Sequence, residues 1–182
     1  MAYIDLPENL PGIRGLMAFR PDVAKHLNEL AEELLRSENS LSRGERELIA
    51  THVSYLNDCF YCQNAHQALA GYYLECGFDP LDEIKANPEA SNLPPKMKAL
   101  LKIAASVQKG GLNVSQDQID IAKSAGATDR ELHDTVLIAA SFCMFNRYVD
   151  GLGTEAPLDR EYYRNRAETR AKEGYSNYDP KN

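Results

Sequence analysis

No second Cys-x-x-Cys accompanies the one at Cys59 and Cys62, so a four-thiolate zinc scaffold is excluded. There is no run of lysine or arginine, and the formal net charge is −7, which argues against a nucleic-acid partner. No apolar run approaches the roughly 20 residues of a membrane helix. No charged-then-apolar leader opens the sequence. A cytoplasmic protein with no membrane partner is therefore expected. Four cysteines in 182 residues are too few for a disulfide scaffold. Strand patterning is missing too: β-branched residues never alternate with polar ones over a useful length.

What the sequence does hold is helical periodicity, and an all-α chain follows. Its length suits a single domain over residues 1–182 with a real hydrophobic core. Residues 1–19, rich in Pro and Gly, read as an N-terminal arm with a short helix at 16–19. Pro21 suits a first helical turn, and Val23, Leu27, Leu30 and Leu34 predict an amphipathic helix over 21–37. Three capping boxes mark helix starts: Ser42-x-x-Glu45, Ser115-x-x-Gln118 and Thr128-x-x-Glu131. The third should open a long helix over 129–149. The helix carrying Cys59, Cys62 and His66 should end near Gly77, a natural stop residue, and further helices are expected over 79–84 and 95–108, with a loop at 86–94. After Gly153 the chain turns charged and tyrosine-rich; residues 157–182 read as a C-terminal arm, either a short helix or a strap on a partner subunit. The last six residues should be loosely held. The phrases around Arg46 and Arg130 are alike, which suggests an internal helical repeat.

The chemistry gathers between Ser42 and Gly71. Cys59 and Cys62 are followed by His66, and Glu47 precedes Cys59 by twelve residues. A dithiol, an imidazole and a carboxylate can run thiol redox chemistry with its own proton relay. Asn57 and Asp58 form a break and an N-cap for a second helix near Cys59. On that helix His66 lies about 40° from Cys62 and about 20° from Cys59. If the chain reverses at Asn57, Glu47 and His66 stand nearly level on antiparallel helices, and Ala50, Thr51 and Ser54 are small enough for close approach. Both thiols would then feel the helix N-terminus, which favours thiolate. Cys62 is one turn from His66, whereas Cys59 is nearer the N-terminus, so this spacing leaves the nucleophile open. A metal site is the competing reading, with Cys59, Cys62 and His66 joined by His52 or Glu47. A non-catalytic redox sensor is the other.

Glu47 followed by Cys59-x-x-Cys62-x-x-x-His66 resembles the active-site motif of the alkyl hydroperoxidase D-like family, within the carboxymuconolactone decarboxylase-like superfamily. The stretch E-R-E-L-I-A-T-H-V-S-Y-L-N-D-C-F-Y-C-Q-N-A-H is similar to its peroxidase-related branch. So are L-P-x-x-L-P-G-I-R-G-L near the start and F-N-R-Y-V-D-G-L-G near residue 150. The resemblance implies an all-α bundle of the alkyl hydroperoxidase D-like type and a homo-oligomer (dimer, trimer or hexamer). It implies a peroxide substrate, an external thiol or dithiol reductant and no cofactor. It also assigns Cys62 as peroxidatic, Cys59 as resolving, and His66 with Glu47 as the relay. The best-known hydroperoxidases carry a second histidine just before the second cysteine. Tyr61 stands there in this chain. An unperturbed tyrosine can hydrogen-bond but cannot shuttle protons at neutral pH as histidine does. The decarboxylase branch typically lacks the Cys-x-x-Cys, so decarboxylation is not the expected chemistry. Asn146, deep in an apolar helix, needs a polar partner and is a supporting candidate beside Tyr61. His26 and His133 are expected at the surface, and Cys76 and Cys143 as buried free thiols.

Overall fold

The computed structural model describes residues 2–7 and 10–177, and the final residues expected to be loosely held lie almost wholly outside them. Among the described residues every regular element is helical. In chain order they are α1 (Ile13–Phe19), α2 (Pro21–Arg36), α3 (Arg43–Leu56), α4 (Phe60–Tyr73) and α5 (Phe78–Ala86). Then follow α6 (Pro95–Lys109), α7 (Gln116–Ser124), α8 (Asp129–Gly151) and α9 (Arg160–Glu173). Short 3-10 turns stand at Pro88–Ala90, inside the segment expected to be plain loop, and at Gly111–Asn113.

All three capping boxes close as read. Ser42, Ser115 and Thr128 each accept from the backbone N–H three residues on, and the Glu or Gln there returns the bond. Each satisfies two donors that a helix start otherwise leaves unpaired. Helix α3 is the centre. Leu48, Ile49, Ala50 and Val53 on it are fully buried, with Leu100, Leu101, Ile103 and Ala104 of α6 and Ile138 and Ala139 of α8. The two helices with similar opening phrases, α3 and α8, pack on each other. A second apolar cluster lies between α4 and α9. It contains Cys59, Tyr61, Cys62, Leu69, Tyr163, Ala167 and Ala171. The chain after Gly153 thus returns as a helix onto α4 of the same molecule.

Several boundaries differ from expectation, each for a local reason. α3 ends with Asn57 as its C-cap, and Asp58 turns the chain with φ of 58°. Cys59 N–H donates to Ser54 C=O at 3.0 Å, which closes the turn. Cys59, not Asn57 or Asp58, is therefore the N-cap of α4, with extended backbone. α4 stops at Tyr73 rather than near Gly77, because Glu75 takes the left-handed position with φ of 54°. Gly77 becomes the N-cap of α5, so that helix opens at Phe78. On α2 the buried face is Ala24, Asn28, Ala31, Leu34 and Leu35, and Val23 is exposed. Cys76 and Cys143 are free thiols, but only half-buried, because they pack against the edge of the core rather than within it. His26 and His133 are exposed.

Polar groups lock the helices around the site. Buried Arg46 donates to the carbonyls of Leu34 and Ser37 at 3.1 and 2.9 Å, fixing the end of α2. Burial holds its guanidinium below the usual range. Buried Lys85 donates to Gln67 Oε1 at 2.7 Å and pairs with Asp82 at 2.8 Å, and Asp82 pairs with Arg160 at 2.7 Å. This chain of contacts joins α4, α5 and α9.

Candidate active site

α3 and α4 form an antiparallel hairpin across Asn57–Cys59. The small residues Ala50, Thr51 and Ser54 are fully buried along α3, and they let the two backbones approach. Glu47 on α3 meets His66 on α4: His66 Nδ1 is 2.6 Å from Glu47 Oε2. A carboxylate only accepts, so Nδ1 carries the proton and donates. Nε2 is the nitrogen left for other work. Glu47 is 0% exposed, so it is not a surface glutamate. Its other oxygen, Oε1, accepts from the Tyr175 hydroxyl at 2.8 Å. The His66 ring stands edge-on to Phe142 at 4.5 Å and is stacked with Tyr175 at 6.4 Å. The imidazole is held by packing as well as by its hydrogen bond.

Cys62 and His66 line a cavity of about 110 Å³ between α1, α2, α4, α8 and α9. Its walls are largely apolar, including Ile13, Met17, Leu27, Leu69, Phe142 and Phe145, with Arg14, Arg166 and Arg170 also on its lining. Cys59 is fully buried and is not among the residues lining it. The hydrogen bond to Cys62, together with burial, pushes the Cys59 thiol well above the usual range. Asp150, near the end of α8, lies against that thiol, and burial raises its carboxyl. Because Cys59 is the N-cap, Cys62 is the one in the first turn of α4. The N-terminal field and the free backbone N–H groups there act on Cys62. Cys59 is nearer the helix N-terminus, as the spacing implies, but as the N-cap itself rather than within the first turn.

The supporting candidates separate. Tyr61 also lines the cavity and stands edge-on to Tyr163 at 5.8 Å. Its ring is seated over Gly12, whose φ is +60°; a Cβ there would meet the Tyr61 ring at 2.4 Å. Asn146 works at the hairpin turn instead. It accepts from Asn57 Nδ2 at 2.8 Å and donates to Ser54 Oγ at 3.0 Å. His52 turns toward α5, with Nδ1 3.1 Å from the Lys85 carbonyl, and burial lowers its basicity. It does not join Cys59, Cys62 and His66. Among the described residues no three His, Cys, Asp or Glu side chains are placed to hold a metal ion.

Two participants escaped the sequence reading. Tyr175 lies in a stretch whose composition gave no hint of where it would land. Asp150 lies in the stretch F-N-R-Y-V-D-G-L-G without having been singled out there, and only the α8 packing brings it to Cys59.

The family model for carboxymuconolactone decarboxylases matches residues 21–71 and 81–153, most of the chain. The chain belongs to the carboxymuconolactone decarboxylase family. Solved structures agree on the fold of this family member. One is an alkylhydroperoxidase AhpD core, an uncharacterised peroxidase-related protein from Ralstonia eutropha JMP134. It is 27% identical with a TM-score of 0.75, over 85% of this chain and 81% of that one. An uncharacterised peroxidase-related protein from Silicibacter sp. TM1040 is 23% identical with a TM-score of 0.78, over 90% and 94%. A protein of unknown function from Agrobacterium tumefaciens is 15% identical with a TM-score of 0.68, over 87% and 100%. No curated protein matches the sequence. No helix among the described residues is long and apolar enough to cross a membrane.

Proposed function

We propose that this family member is an antioxidant thiol peroxidase that reduces organic hydroperoxides through Cys62 and Cys59. The observation that carries the reading is the 2.6 Å contact between His66 Nδ1 and buried Glu47, with His66 and Cys62 on one cavity wall. The Ralstonia eutropha relative, described as an alkylhydroperoxidase AhpD core, supports it.

The cycle balances as follows. His66 Nε2 takes the Cys62 thiol proton, and Glu47 stabilises the imidazolium that results. The Cys62 thiolate attacks the terminal oxygen of the hydroperoxide. An S–O bond forms, the O–O bond breaks, and the departing alkoxide takes the proton from His66. Cys62 is then a sulfenic acid and the product is an alcohol. Cys59 attacks the Cys62 sulfur, and hydroxide leaves with the Cys59 thiol proton as water. An external dithiol reduces the disulfide by exchange and is itself oxidised. Cys59, held as a thiol by burial and by Cys62, suits the second step and not the first. The apolar walls favour an organic hydroperoxide over hydrogen peroxide.

The test is consumption of cumene hydroperoxide with dithiothreitol, in the wild type and in each single Cys→Ser variant, with dimedone trapping. Turnover by the wild type, none by Cys62→Ser, and dimedone on Cys62 in Cys59→Ser is the expected pattern. Oxidation that stops at one equivalent would favour a redox sensor instead. Dimedone on Cys59 in Cys62→Ser, with none on Cys62 in the reverse variant, would exchange the two roles. Stoichiometric metal without turnover would favour the metal-binding reading.

A further inference from the structure

The carboxylate of the relay is held from two sides, and only one of them is the histidine. We infer that Tyr175, carried in after α9, is a positioning residue that holds the Glu47 carboxylate aimed at His66. The inference deepens the proposed peroxidase site, but its test does not depend on peroxide turnover.

A fully buried carboxylate is costly unless its oxygens are hydrogen-bonded. Glu47 has one oxygen on His66 at 2.6 Å and the other on the Tyr175 hydroxyl at 2.8 Å. Burial and the nearby Glu47 charge push the Tyr175 phenol well above its ordinary range. It therefore stays a donor throughout the pH range in which thiols are studied. The tyrosine is itself held from several directions. Its backbone N–H donates to Glu32 Oε2 at 2.5 Å, and that of Ser176 does so at 3.4 Å. The Arg170 guanidinium lies over its ring at 5.5 Å. Gly174, the C-cap of α9 with φ of 78°, makes the turn that brings Tyr175 back over α3 and α4. A Cβ at Gly174 would meet Glu32 Oε2 at 2.6 Å. The two donors divide the carboxylate between them, so it cannot rotate without leaving a buried donor unpaired.

The surroundings make a pH profile readable. The charged or titratable groups around this cluster are Arg14 of α1, Glu32 and Arg36 of α2, Arg43 and Arg46 of α3, Tyr61, Cys62 and Tyr73 of α4, and Tyr163, Arg166 and Arg170 of α9. α8 presents Phe142. The arginines stay charged, and burial raises the Tyr73 phenol. The variants are therefore compared on one readout, the Cys62 alkylation rate against pH.

The experiment is the rate of iodoacetamide alkylation of Cys62 against pH in Cys59→Ser and in Cys59→Ser/Tyr175→Phe. The phenylalanine keeps the ring and removes one hydroxyl. Its profile should move up by roughly half to one pH unit, as the unsupported carboxylate takes a proton and releases the imidazolium. Adding Glu47→Gln should erase the difference: with no charge to hold, Tyr175→Phe then has no further effect. Glu32→Ala tests the same idea from outside the site, because it frees the Tyr175 backbone; it should give a smaller shift in the same direction. Superimposable profiles for folded Tyr175→Phe, or an undiminished shift on the Glu47→Gln background, would reduce Tyr175 to packing. A shift to lower pH would mean that the hydroxyl competes with His66 for the carboxylate, the opposite of the role assigned. Peroxide turnover absent from the wild type would overturn the peroxidase reading and leave this test intact.

Discussion

Glu47→Gln is the substitution that most directly tests the relay. It preserves length and shape, and glutamine can still accept from one donor. What it removes is a full charge, 0% exposed and 2.6 Å from His66 Nδ1. A hydrogen bond to a charged group contributes about 1.5–3 kcal/mol net. One pH unit corresponds to about 1.4 kcal/mol, so the alkylation profile of Cys62 should move up by about one to two units. At neutral pH that lowers the reactive fraction roughly 10- to 100-fold, within the range typical of lost acid–base assistance. The plateau at high pH should be unchanged, because the thiolate itself is untouched. Stability should change by less than about 2 kcal/mol, since the lost charge-assisted bonds are offset by the relieved cost of burying a carboxylate. The assay is alkylation rate against pH with Cys59 replaced by serine, with thermal unfolding alongside. Superimposable profiles would refute the reasoning. A uniformly lower plateau would as well, since it would report altered access rather than altered protonation.

Two further outcomes follow from the packing. Asn146→Ala removes the clasp between Ser54 and Asn57 at the α3–α4 turn; stability should fall by about 1–3 kcal/mol by denaturant titration, with the Cys62 alkylation profile unmoved. Asp82 is buried enough to oppose ionisation, yet hydrogen bonds from Arg160, Lys85 and Gln67 hold its carboxyl down at about 2, against 3.8 ordinarily. A lowered folded value stabilises above the unfolded value and is lost as pH falls. The fall of about 1.8 units from 3.8 would be about 2.4 kcal/mol, but Asp82 and Arg160 are 31% and 45% exposed, so screening reduces it to about 1 kcal/mol. Wild type should lose that margin between pH 4 and 2 in acid titration, and Asp82→Asn should not; equal slopes would refute it.

The helices were legible where local signals do the work. Ser42, Ser115 and Thr128 could be read as starts because a capping box is satisfied within four residues. Pro21 and Pro95 marked first turns for the same kind of reason. The misplaced boundaries share one cause. Asp58 and Glu75 adopt left-handed backbone without being glycine, so neither turn carried its usual signature. Gly77, which looked like a helix stop, is instead a helix start.

The site was half legible, and the division follows chain separation. Glu47, Cys59, Cys62 and His66 lie within one hairpin, so spacing and a reversal at Asn57 were enough to bring carboxylate and imidazole level. Tyr175 is 128 residues from Glu47. Its place depends on α9 packing along α4 and on Gly174 turning the chain at the right height. No periodicity within the tail encodes either fact. This has a chemical consequence. A hairpin alone would leave one oxygen of Glu47 without a partner in a dry interior, which favours its neutral form. With His66 and Tyr175 in place, each carboxylate oxygen has a hydrogen-bond donor. The proposed relay draws on both ends of the fold, the central hairpin that supplies Glu47 and His66 and the returning tail that contacts the second carboxylate oxygen.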